Sequence, residues 1–220
     1  MLDFTSITTW LLGHGVSEMV LKLIIAMSLV ATIVSIARYI VGTKSYGIYA
    51  PVLLAIAYSY TGLKYGLVIT AVVIVTTLLS YRVLRRIRMH YITRIATNYT
   101  LLSIFLILFF VIVNRFGLGL ENLKNIPPLA FISIAALSDF FVKQYVKKSL
   151  LSSLTILLST AALATIGWFV ITRGVINNYL INNLWILPAL TLLNILLGQY
   201  KGLRIKDYFR FRITKDDTSK

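Results

Sequence analysis

Cysteine is absent from this sequence of 220 residues. Without it the chain has no disulfide, no thiolate ligand for a metal, no cysteine nucleophile and no site for palmitoylation. Carboxylates are also scarce, since 7 Asp and Glu stand beside 22 Lys and Arg. The sequence has no H-E-x-x-H motif, no G-x-S-x-G motif and no glycine-rich phosphate loop. These absences favour a protein that is not an enzyme and that has no cofactor and no metal site.

Basic residues are also missing from residues 1–17, which contain Asp3 but no Lys or Arg to form the positively charged start of a secretory signal peptide, so we expect the first apolar run to be retained. In this segment Trp10, Leu11 and Leu12 cluster just before a Gly-His-Gly stretch. The cluster is too short to cross a bilayer, and tryptophan favours the headgroup region. We therefore expect residues 1–17 to form an outer interfacial segment that contains a short helix.

Apolar residues dominate the rest of the chain. The sequence is 58% hydrophobic and 13% charged, and its mean hydropathy is +0.84. A soluble domain has about 25% charged residues. The stretches Leu101–Val113 and Leu150–Ile171 pass without Asp, Glu, Lys or Arg. The pattern predicts an all-α, polytopic integral membrane helical bundle in contact with the lipid bilayer.

Apolar runs between charges and turn residues predict seven membrane spans, which together form a transmembrane domain over residues 18–200. The spans cover residues 18–40, 47–61, 65–82, 97–115, 128–143, 149–172 and 180–198. Five of them approach the roughly 20 residues that cross a hydrocarbon core. Residues 47–61 and 128–143 are short, so these spans are tilted, re-entrant or shielded by their neighbours.

The basic residues indicate the topology. A net charge of +15 in a soluble protein suggests nucleic-acid binding, but these basic residues lie between apolar runs, so no nucleic acid is expected. Most of the 22 Lys and Arg fall in alternate loops and in the C-terminal tail. Those loops carry Arg38, Lys44, Arg82, Arg85, Arg86, Arg88, Arg94, Lys143, Lys147 and Lys148. Cytoplasmic loops are rich in Lys and Arg, which predicts an outer N-terminus and a cytoplasmic C-terminus.

The predicted cytoplasmic tail, residues 201–220, alternates basic with aromatic residues. Lys206, Arg210 and Arg212 can lie at anionic lipid headgroups while the aromatic rings enter the interface, and Arg204 is a further candidate residue of this segment. The alternative is a solvated, positively charged flank that binds nothing.

Glycine and proline mark the start of both short spans. Gly47 precedes Pro51 in one, and Pro127 with Pro128 opens the other. Proline in the first helical turn removes no intrahelical hydrogen bond, so these positions are typical of helix starts. A second interpretation is a pair of broken helices that line a cavity, with the first three spans and the next three forming an inverted repeat. That signal is weak, because glycine and proline are common in membrane helices.

Asp139 is the carboxylate that lies well inside an apolar run. An ionised carboxylate in lipid costs roughly 2.5 to 3.5 kcal/mol and needs a partner. Lys143 lies four residues further on, on the same helical face, so the spacing favours an interfacial ion pair over a proton relay.

Two stretches carry a family resemblance. Residues 38–67 contain a G-x-x-x-P turn at Gly47 and Pro51, and residues 193–212 contain a G-x-Y-x-G turn before a basic and aromatic tail. The second turn consists of Gly198, Tyr200 and Gly202. Both resemble the bacterial seven-transmembrane module that is usually fused to an inactive transglutaminase-like domain. In that family a soluble domain usually precedes the module, whereas about 17 residues precede the first span here.

The resemblance implies a location in the bacterial inner membrane and a link to ATP-grasp ligases that join amino acids to peptides or proteins. Together with the missing catalytic motifs, it favours a multi-pass membrane anchor or assembly subunit that has a cytoplasmic ligase or another membrane protein as its partner. The alternative function is a transporter or export channel for a peptide, an amino acid or an amino-acid polymer.

Overall fold

The computed structural model describes residues 4–116, 127–147, 149–173 and 183–199. Every regular element in these ranges is helical, which confirms the predicted all-α fold class. The helices are α1 (Phe4–Gly13), α2 (Glu18–Ile36) followed by a π-helical turn (Ala37–Val41), α3 (Tyr49–Thr61), α4 (Leu63–Leu84), α5 (Tyr91–Phe116), α6 (Pro128–Lys147), α7 (Leu150–Thr172) and α8 (Ile186–Gln199).

Helices α2 to α8 occupy the positions of the seven predicted spans, and α1 lies in the predicted N-terminal segment. Within the described residues, five helices are long and apolar enough to cross a membrane. They cover Glu18–Val41, Leu63–Leu84, Ile92–Phe116, Pro128–Lys147 and Leu150–Thr172. The described parts of α3 and α8 are shorter, with 13 and 14 residues.

Helix α6 is longer than the sequence predicts. The predicted span ends at Lys143, whereas the helix continues to Lys147 and has 20 residues. At 1.5 Å per residue it is about 30 Å long, the thickness of a hydrocarbon core. The interpretation of this span as short is therefore wrong. Its end was misplaced because lysine interrupts an apolar run but is a good helix former.

Local hydrogen bonds define both ends of α2. The hydroxyl of Ser17 caps the helix by accepting from the Met19 N–H at 3.3 Å. At the other end Gly42 adopts a φ of 84°, a conformation open mainly to glycine. The Ala37 carbonyl accepts from the N–H of Gly42 and from both the N–H and the hydroxyl of Thr43. The carbonyl of Ala37 is therefore satisfied by hydrogen bonds at the end of the π-helical turn that follows α2.

The chain divides into two compact units, one formed by Met1–Ala55 with Ser159–Lys220 and the other by Ile56–Leu158. In the first unit α2 packs against α8, and Asn194 Nδ2 donates to Thr32 Oγ1 at 2.8 Å. Between α2 and α7, a Cβ on Gly167 would lie 2.9 Å from Val30 Cγ1. Small and polar residues therefore hold these helices close, as is usual in membrane proteins.

In the second unit α4 packs against both α5 and α6. Its core includes the fully buried side chains of Tyr58, Thr77, Ile134 and Phe141. The Tyr58 hydroxyl is hydrogen-bonded to Thr70 Oγ1 at 3.0 Å, which satisfies the polar end of this ring. The boundary between the two units falls within α3 and within α7, whereas the predicted inverted repeat divides the chain after the third span. That repeat stays a prediction.

Candidate functional site

A small pocket lies in the second unit, where α4 ends, α5 begins and α6 approaches its end. The pocket has a volume of about 30 Å³. Helix α4 lines it with Tyr81 and Leu84, α5 with Arg94, Ile95, Asn98 and Tyr99, and α6 with Asp139 and Val142. We refer to this space as the Arg94 pocket.

Helical spacing explains why these residues meet. Arg94 and Asn98 are four residues apart on α5 and therefore share one face of the helix. Tyr81 and Leu84 are three apart on α4, as are Asp139 and Val142 on α6. Since α4 packs against both other helices, the three faces enclose one space.

Two polar atoms on the pocket-lining residues have no hydrogen-bond partner in the described part of the protein. They are Arg94 Nε, a donor, and Asn98 Oδ1, an acceptor. Asn98 is only 8% exposed. Leaving such a group unpaired costs about 1–3 kcal/mol, so buried polar atoms are nearly always satisfied. A pocket needs roughly 10–15 Å³ to hold one water, so this pocket has room for a small polar group beside Arg94 and Asn98.

Two serines extend this polar region within the same unit. Ser80 immediately precedes Tyr81 on α4, and Ser138 immediately precedes Asp139 on α6. Both are buried. The Ser138 hydroxyl is hydrogen-bonded to Tyr99, whereas within the described residues the Ser80 hydroxyl has no hydrogen-bond partner. Three buried polar atoms of this unit are thus unpaired in the described residues, on Ser80, Arg94 and Asn98.

Asp139 and Lys143 form the ion pair that their spacing predicts. Lys143 Nζ lies 2.8 Å from Asp139 Oδ2, and the two side chains are 50% and 25% exposed respectively. Half of the Lys143 side chain is exposed, so this ion pair is weakly stabilising. Its main consequence is electrostatic, because Lys143 neutralises the carboxylate of the pocket. The guanidinium of Arg94 then remains as the uncompensated charge of the pocket lining.

Exposed arginines surround this end of the unit. Arg85, Arg86 and Arg88 lie in the connection between α4 and α5, and each is exposed. We refer to residues 85–90 as the basic loop. Arg82 on the last turn of α4 and Lys147 at the end of α6 are also exposed. Residues 82–94 contain no Asp or Glu, so the loop has a strongly positive potential.

The glycines and prolines singled out in the sequence lie at helix starts. Gly47 has a φ of 67° in the turn before α3, and Pro51 is buried in the first turn of that helix. Beside this turn, Tyr46 is buried, and burial raises the pKa of its phenol. Pro127 precedes α6 and Pro128 begins it. This geometry is that of ordinary helix starts.

The remaining predicted residues lie near or beyond the end of α8. Gly198 is within the last turn of α8 rather than in a turn after it, because the helix continues to Gln199. Tyr200, Gly202, Arg204, Arg210 and Arg212 lie outside the described residues.

Sequence reasoning missed the Arg94 pocket. In the sequence pattern Arg94 is one of several basic loop residues, and Asn98 has no predicted role. The available signal was the i, i+4 spacing of two polar residues at the start of an apolar run. A serine next to Asp139 near the end of another run was a second signal.

The fold and this pocket define an all-helical, multi-pass membrane protein with a small, mainly apolar pocket and a basic loop at one end of three packed helices. A comparison with known families matches residues 11–215 to the family described as 7 transmembrane helices usually fused to an inactive transglutaminase. The chain belongs to this family, which confirms the resemblance seen in the two turn motifs. No curated protein and no solved structure matches the sequence.

Proposed function

We propose that the protein is a noncatalytic membrane anchor or assembly subunit that holds an acidic cytoplasmic enzyme at the bacterial inner membrane. The observation that carries the proposal is the exposed basic loop, with Arg85, Arg86 and Arg88 at the end of three packed helices. A loop whose charged residues are all basic, held by packed helices, attracts a partner of opposite charge and sets its orientation. The link to ATP-grasp ligases that the family resemblance implies supports an amino-acid or peptide ligase as this enzyme.

The proposal requires the basic loop to face the cytoplasm. The positive-inside pattern supports this topology, because Arg38, Lys44, the basic loop and the tail fall on one side in an alternating arrangement of spans. The outer N-terminus and the cytoplasmic C-terminus are part of the same proposal.

Neutralising the basic loop is expected to release the ligase. In the triple variant Arg85→Gln, Arg86→Gln, Arg88→Gln, the affinity for a purified ATP-grasp ligase encoded beside this protein should fall about tenfold at low salt, since three exposed attractive charges are lost. The measurement is biolayer interferometry with the full-length protein in nanodiscs. The matched control is Lys64→Gln with Arg115→Gln, exposed cations at the opposite ends of α4 and α5. Equal losses in both variants would contradict a specific docking loop.

Transport is the alternative function, and it requires a polar path along the short helices. Along α3, however, Pro51, Leu54, Ala55 and Tyr58 are buried, and the one hydroxyl among them is paired with Thr70. The burial of these α3 side chains favours the anchor. Movement of a peptide or amino acid into liposomes that contain only this protein would reverse the preference.

The tail is proposed to bind anionic lipid. A peptide of residues 201–220 should bind vesicles containing phosphatidylglycerol at low salt, because each basic residue near an anionic surface contributes about 1 kcal/mol. Vesicles of phosphatidylcholine alone are the control. Affinity that remains at high salt measures the aromatic contribution, and no binding at low salt would leave the tail as a solvated flank.

A further inference from the structure

We propose that the Arg94 pocket binds the headgroup of one anionic phospholipid, with the phosphate accepting from Arg94 and a headgroup hydroxyl donating to Asn98. The best match is a glycerol headgroup, as in phosphatidylglycerol. This inference goes beyond the docking of an enzyme on the basic loop. It concerns a lipid held between α4, α5 and α6.

The chemistry of the ligand follows from the two unpaired atoms. Arg94 Nε can only donate, so it needs an acceptor such as a phosphate oxygen. Asn98 Oδ1 can only accept, so it needs a donor. A phosphodiester has acceptors but no donor, whereas a hydroxyl-bearing headgroup supplies both groups on one molecule. Asn98 is nine-tenths buried, so its donor must enter the pocket.

The charge of the pocket selects against a cationic headgroup. Asp139 would attract an ammonium group, but its carboxylate is already paired with Lys143 at 2.8 Å. Arg94 therefore leaves the lining positive, and the exposed arginines of the basic loop add to the field. The pocket also lies at the N-terminal end of α5, where the helix dipole favours an anion. Phosphatidylethanolamine should consequently bind more weakly than phosphatidylglycerol.

The position and the lining of the pocket favour a lipid over a soluble phosphate. It lies at the ends of three helices that are long and apolar enough to cross a membrane, which is where headgroups are found. Leu84, Ile95 and Val142 give it apolar walls that suit the glycerol backbone. Its volume of about 30 Å³ holds the innermost groups of a headgroup, roughly two water-sized groups. Basic pockets between membrane helices are known to bind such headgroups.

Native mass spectrometry of the full-length protein tests the proposal. The protein is released from detergent micelles that contain equal amounts of phosphatidylglycerol and phosphatidylethanolamine. We expect one retained phosphatidylglycerol per chain and a loss of about tenfold in Arg94→Gln, since a charge-assisted hydrogen bond is removed. Arg94→Lys keeps the charge without the Nε–H, so its retention should be intermediate. The control is Arg88→Gln, an exposed arginine of the basic loop. Equal retention in Arg94→Gln and Arg88→Gln would overturn the assignment of the phosphate to Arg94.

A second variant tests the hydroxyl contact. It also keeps the proposal testable if the Arg94→Gln protein does not fold. Asn98→Ala keeps Arg94 but removes the acceptor, so the preference for phosphatidylglycerol over phosphatidylmethanol, a phosphodiester without a headgroup hydroxyl, should disappear while retention of both persists. An unchanged preference would refute the Asn98 contact. Displacement of the lipid by millimolar glycerol phosphate would identify a soluble ligand in place of a lipid. Lipid retention does not depend on the ligase, so failure here is distinguishable from failure of the proposed anchor function.

Discussion

Green fluorescent protein fused after Lys220 is expected to fluoresce, and alkaline phosphatase fused at the same point is expected to be inactive. Green fluorescent protein matures in the cytoplasm, whereas alkaline phosphatase needs the periplasm. The expectation follows from seven spans with an outer N-terminus, since an odd number of crossings puts the C-terminus inside. The positive-inside pattern makes the opposite orientation unfavourable. The effect on each reporter is close to all or none.

Two internal fusions make this topology test independent of the tail. Alkaline phosphatase fused after Lys124, following α5, should be active, and the same enzyme fused after Arg88, within the basic loop, should be inactive. The Lys124 fusion is also the control for expression, because its activity shows that the fused enzyme is produced. An active phosphatase after Lys220 would contradict the orientation on which the anchor proposal depends.

Substitution of Gly66 by alanine is expected to destabilise the second unit. Gly66 lies on α4 where the ring of Tyr58 crosses it, and a Cβ there would lie 2.8 Å from Thr61 Oγ1 and in collision with that ring. Tyr58 is fully buried and its hydroxyl is bonded to Thr70, so the ring cannot move aside without losing that bond. Overpacking of this kind costs about 1–3 kcal/mol.

The comparison with Gly198→Ala separates packing from helix propensity. Gly198 is also helical, but apart from its chain neighbours and its own helix backbone, no atom of the described residues lies within 4 Å of the Cβ that alanine would add. That variant should be unchanged or stabilised, by up to about 1 kcal/mol, because alanine favours the helix. Thermal unfolding in detergent, followed by circular dichroism, measures both variants. A Gly66→Ala protein as stable as the wild type would show that Tyr58 does not fix the approach of α3 and α4.

Hydropathy alone predicts most of the fold, and the reason is physical. A bilayer requires each crossing to be a continuous apolar helix, so the runs of apolar residues give the order and approximate position of α2 to α8. The positions of the charged residues also predict the Asp139–Lys143 ion pair, because residues i and i+4 of one helix are neighbours. The end of α6 was misplaced, since lysine marks where the apolar run stops and not where the hydrogen bonds stop.

The Arg94 pocket could not be predicted in the same way. Its residues come from three helices, and no local pattern states which faces of α4, α5 and α6 meet. Whether Arg94 Nε and Asn98 Oδ1 find a hydrogen-bond partner depends on how the helices pack, and nothing in the local sequence of either residue indicates that the atom is unpaired. The approach of Gly66 to Tyr58 is likewise invisible until the two helices are placed together.

The shortness of α3 makes this helix more sensitive to bilayer thickness than α5. Helix α3 has 13 residues and is about 20 Å long, whereas α5 has 26 residues and carries Arg94 and Asn98 in its first turns. The hydrocarbon core of a typical bilayer is about 30 Å thick, so α3 is too short for it, while residues 97–115 of α5, about 28 Å long, match it. A thicker bilayer therefore strains α3 before α5, and lipid chain length becomes a variable that acts on the two helices unequally.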